Sequence, residues 1–99
     1  MSERQRLHEL QDRIETELRA AVTLVRQDLS PRTVGLVEEF LDHNELGLAL
    51  EFIVDDLLER NVTPSRSVHE HLQRAASDME LADSDRWSRF TTRFARPSR

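Results

Sequence analysis

Apolar residues return at helical spacing through almost the whole chain. Leu7, Leu10, Ile14, Leu18, Ala21, Val22, Val25 and Leu29 fall within an arc of roughly 120° when wound at 100° per residue, with no slip of phase. This predicts one long helix over 3–29. Ser30-Pro31 ends it, serine as a cap and proline at the first position of a second helix over 31–43, which turns Val34, Val37 and Leu41 inward. Asn44 is placed to cap a third helix over 45–60, with Leu46, Ala49, Leu50, Ile53, Val54 and Leu57 on one broad side. The stretch 61–65 breaks and restarts the chain. A fourth helix over 64–81 carries Val68, Leu72, Ala75, Ala76 and Met79, and Asp83 is placed to cap a last one over 84–94 with the aromatic stripe Trp87, Phe90 and Phe94. Residues 95–99 read as a frayed tail. The expected architecture is an all-α single domain, a bundle of about five helices with a long N-terminal helix.

Composition narrows the function classes. With 99 residues, the chain has room for one core and no second module. Cysteine is absent, which removes disulfide frameworks, thiolate zinc sites and cysteine nucleophiles together. The first residues are polar, and no apolar run approaches the roughly 20 residues that cross a bilayer. A cytoplasmic location is the expectation. All 14 basic residues are arginine, and the net charge is −5, which argues against general binding to nucleic acid or to anionic membranes. An acidic protein of this kind suits a basic partner.

Candidate chemistry is sparse. His69 and His71 are two apart and point to different sides of a helix, whereas zinc pairs on a helix sit four apart. His8 and His43 read as surface groups, His43 at a turn. Adjacent acids such as Glu38-Glu39 and Asp55-Asp56 diverge by about 100° on a helix and do not converge on one reacting atom. No nucleophile, base and oxyanion donor set can be assembled, so neither an enzyme nor a metal or other cofactor is expected.

Charge is distributed unevenly. Between Thr33 and Glu59 stand eight acids, Glu38, Glu39, Asp42, Glu45, Glu51, Asp55, Asp56 and Glu59, with no Arg or Lys. From Arg86 to Arg99 there are five arginines and no acid. Helices ordinarily relieve self-repulsion with opposite charges at i, i+4. Two readings follow: a basic partner answers the acidic hairpin, or the basic last helix folds back on it. Leu48 and Phe52 lie four apart inside the polar arc of the third helix. They are either interface anchors in a polar rim or core residues of a helix buried nearly all round. Leu36 and Phe40 stand outside the main stripe of the second helix in the same way.

The run Val37-Glu38-Glu39-Phe40-Leu41-Asp42-His43-Asn44-Glu45-Leu46-Gly47-Leu48-Ala49-Leu50-Glu51, followed by Asp55-Asp56-Leu57-Leu58-Glu59, resembles the core signature of MafI-family immunity proteins. That signature is an acidic helix, a tight turn, then Glu, apolar, Gly, apolar, Ala, Leu and a second acidic helix. The turn Thr63-Pro64-Ser65 also fits, and the likeness spans about 34–79. Asn44 departs from it, standing where the pattern has glycine, but asparagine tolerates the same left-handed conformation.

The resemblance implies an immunity protein that binds and neutralises the C-terminal domain of a cognate polymorphic or contact-dependent toxin. A nuclease-like toxin has a basic cleft because it must hold phosphates, and the acidic hairpin is complementary to it. The residues expected to bind the toxin are Glu38, Glu39, Asp42, Glu45, Leu48, Glu51, Phe52, Asp55, Asp56 and Glu59. The chief alternative is a structural or adaptor protein that pairs through its long first helix, a homodimer being the simplest form. A nucleic-acid regulator using Arg86, Arg89, Arg93 and Arg96 ranks third.

Overall fold

The structure, a computed structural model, describes residues 2–94. These form five α-helices and no strand: α1 Glu3–Val25, α2 Pro31–Asp42, α3 Leu46–Glu59, α4 Arg66–Asp78 and α5 Asp85–Arg93. The expected frayed tail, 95–99, lies outside the described residues, as does Arg96.

Helix α1 opens with a capping box in which Ser2 and Gln5 satisfy each other's backbone N–H groups. Its stripe Ile14, Leu18, Ala21, Val22 and Val25 is buried, while residues 2–9 are all exposed. The helix stops four residues short of the expected end. Arg26–Asp28 tighten into a 3₁₀ turn and Leu29 is extended, because the chain must already be extended at Ser30, the residue before Pro31. Leu29 is nevertheless buried, so the periodic pattern outlasts the helix that it predicts.

Three helices end in one way. Asn44 (φ 58°), Asn61 (φ 56°) and Glu80 (φ 59°) occupy the left-handed region. The next amide in each case donates back across the turn: Glu45 N to Phe40 O at 2.8 Å, Val62 N to Leu57 O at 2.9 Å and Leu81 N to Ala76 O at 2.8 Å. This closure satisfies carbonyls that have no partner within the helix. Asn44 therefore closes α2 instead of capping α3, whose flanking residue Glu45 makes no side-chain cap. The same closure ends α4 at Asp78, before the expected 81. At the last helix Ser84, not Asp83, is the cap, its hydroxyl accepting from Trp87 N. Ser30 and Ser65 cap α2 and α4 in the same manner.

Helix α3 is central, touching each of the other four, and the most extensive packing joins α1 to α4 and α2 to α3. The core runs through all five helices. On α5, Trp87 and Phe90 lie 5.1 Å apart between centroids and Phe90 and Phe94 5.3 Å, and the His69 ring stacks on Phe90 at 5.8 Å. Contacts of this kind favour burial of the whole stripe. At the α1–α4 seam, Glu17 accepts from Arg74 Nε at 2.5 Å and lies 2.6 Å from His71 Nδ1, and Arg13 meets Asp78 at 2.9 Å. Burial pushes the Glu17 carboxyl up, but the hydrogen bonds from Arg74 and His71 outweigh it and hold the group below its ordinary value.

Candidate docking face on α2 and α3

The ten residues expected to bind a partner all fall on α2, α3 and the turn between them, yet they do not form one uniform acidic surface. Basic residues of the same chain already meet four of the eight acids among them. Glu38 pairs with Arg26, and Asp42 with Arg19 at 3.0 Å. Arg86 spans Glu51 and Asp55, at 3.0 Å to each. Asp56 is half-buried and accepts from Ser30 N at 2.9 Å, fixing the start of α2.

Among the described residues, fold-back of the basic last helix onto these acids is thus realised by one residue, Arg86. Arg93 instead donates to Asn61 Oδ1 and lies over the Phe94 ring. The remaining compensation comes from Arg19 and Arg26, beyond the reach of a charge count restricted to one hairpin. Glu39, Glu45 and Glu59 are exposed and make no ion pair among the described residues. At the turn, His43 Nδ1, 2.8 Å from Glu39 O, is pushed above its ordinary 6.5 by that backbone hydrogen bond first and then by the charges of Glu39, Glu45 and Asp42.

The two apolar candidates separate. Leu48 is 39% exposed, whereas Phe52 is half-buried, its ring 4.9 Å from Phe40. Glu45, Leu48, Phe52, Asp55 and Glu59 follow one another at three- and four-residue steps, which places them on one stripe of α3, with Asp56 at its flank. Phe40 braces that stripe from α2. Beside it, Arg32, Thr33, Leu36, Phe52, Asp55, Asp56 and Glu59 enclose an open depression of about 280 Å³.

No family model, no curated protein and no solved structure matches this chain. The face therefore speaks through its own chemistry. Among the described residues no group of three or more His, Cys, Asp or Glu is arranged to hold a metal ion, and no helix is long and apolar enough to cross a membrane. The arrangement can do one thing well: present an exposed apolar side chain and a half-buried aromatic ring within a partly neutralised acidic border. Arg32, on the rim of the depression, had no sequence signal beyond its place in the first turn of α2. Leu36 had one, its position outside the main stripe.

Proposed function

We propose that this chain is an immunity protein, which binds the toxic domain of a bacterial toxin and neutralises it by covering a basic, nuclease-like cleft with the α2–α3 face. The observation that carries the reading is Leu48, a large apolar side chain exposed on a stripe otherwise made of carboxylates and Phe52. Burying such a residue against a partner contributes about 1.5–3 kcal/mol, while carboxylates around it orient a basic surface and speed encounter. The likeness of Val37–Glu51 to the MafI signature supports the same reading. Carboxylates would pair with the toxin's Arg and Lys, and Leu48 would close the cleft to substrate.

The test is co-expression with a toxin domain encoded beside the gene. Wild-type chain restores growth. Glu39, Glu45 and Glu59 changed together to Lys remove protection and slow association at low salt by roughly tenfold or more. The helices stay intact, because the three carboxylates make no ion pair among the described residues and the backbone bonds of Glu39 and Glu45 survive the change. Leu48→Ser raises the dissociation rate and leaves stability within about 0.5 kcal/mol. Full protection by the triple variant, with association indifferent to salt, would defeat the reading.

A second reading, an adaptor that pairs through α1, has the exposed turns at residues 2–9 in its favour. Leu7 is the single large apolar residue there, and a helical seam needs apolar pairs sustained over about three heptads.

A further inference from the structure

We infer that the depression between α2 and α3 is a socket for a single arginine side chain of the partner. The inference rests on the docking face proposed above and names the group that the face selects.

Three observations meet at this place. Along α3 the carboxylates of Glu51 and Asp55, four residues apart, already hold a guanidinium between them, that of Arg86. Asp55 and Glu59 repeat the same four-residue spacing one turn further on, and there no arginine of the described residues is paired with Glu59. The protein thus displays, one turn away, how this side of α3 takes an arginine. Phe52, its ring 4.9 Å from that of Phe40, lines the second position together with Leu36. An aromatic ring and carboxylates lining one depression suit a planar, delocalised cation better than an ammonium, because a guanidinium packs on aromatic surface and reaches two carboxylates through one fork. The depression, about 280 Å³, has the size of a side chain rather than of a peptide segment. Asp56, also in the lining, adds charge while one of its oxygens stays on Ser30 N.

Arg32 shares the rim without an ion pair to the socket acids among the described residues. It opposes any incoming cation by like charge, so its removal tightens binding.

The experiment needs no toxin. Isotope-labelled protein is titrated at low salt with Ac-Gly-Arg-Gly-NH2 and with its lysine counterpart, following amides of α2 and α3 and the Phe52 ring by NMR. Saturable shifts centred on Leu36, Phe52 and Glu59 are expected, with arginine favoured over lysine by about threefold. Glu59→Gln weakens the arginine peptide by about threefold or more, Glu9→Gln on the exposed start of α1 leaves it unchanged, and Arg32→Gln strengthens it. Equal response to lysine, indifference to Glu59→Gln, or binding only after Arg32→Gln, which would assign the socket to Arg32 itself, each overturns the inference. Peptide binding without protection from a toxin sinks the immunity reading and leaves the socket standing; protection without peptide binding does the reverse.

Discussion

Glu80 holds a left-handed backbone, φ 59°, that costs an ordinary side chain about 1 kcal/mol or more and that Asn or Gly adopts readily. Asn44 and Asn61 fill the equivalent places at the ends of α2 and α3. Glu80→Gly should raise stability by about 0.5–1 kcal/mol in urea unfolding, since the closing hydrogen bond is made by Leu81 and survives the change. The two glycines carry the opposite message. Neither has positive φ, and a Cβ added at Gly47 meets nothing within 4 Å. Gly47→Ala should therefore stabilise α3 by roughly 0.5–1 kcal/mol in the same measurement; a loss instead would reveal a constraint beyond the fold. The two asparagines were legible in the sequence as turn residues. Glu80 was not, because nothing in its chemistry marks the left-handed region, and only the requirement to end α4 places it there.

At the scale of the helix, the seam between α1 and α4 joins one carboxylate to two bases. Glu17 is 15% exposed, with His71 and Arg74 upon it. Its folded pKa is depressed below the ordinary 4.5, so its contribution is present above that value and is lost as pH falls through the folded one. Glu17→Gln should cost about 1–2 kcal/mol at pH 7 and flatten stability over the acid range between the unfolded and folded values, read by unfolding curves at several pH values. An unchanged pH profile in the variant would remove Glu17 as its source. Helix identity was legible because apolar spacing and serine caps agree. The ends of α1 and α4 were not, because Leu29 continues the apolar rhythm after the backbone has turned away and nothing in the sequence marks Glu80 as the left-handed residue that closes α4. The acidic hairpin was legible as composition only: which acids are answered depends on Arg19, Arg26 and Arg86, remote in sequence and brought near by packing.

Across the whole molecule, the compensation of charge decides how the docking face behaves. Arg86 holds α5 to α3 while masking Glu51 and Asp55. Exposed pairs of this sort contribute at most about 1 kcal/mol, and α5 is kept in place chiefly by Trp87, Phe90 and Phe94. Arg86→Gln should thus leave the fold intact, uncover two carboxylates and steepen the salt dependence of association with a basic partner. A shallower dependence would mean that Arg86 is itself a contact. The uncovered acids Glu39, Glu45 and Glu59 are the portion of the face that a sequence reading located correctly as surface without being able to distinguish it from the masked remainder.

The tight turn at Asn44 has a consequence for how recognition can change. With its backbone donors tied to Phe40 and Leu41, the junction offers no slack for a loop to grow or reshape around a new target. For the proposed docking face, specificity would then drift through substitution of outward side chains on a rigid frame, one residue at a time, and a mismatched target would be refused by shape instead of being accommodated by remodelling.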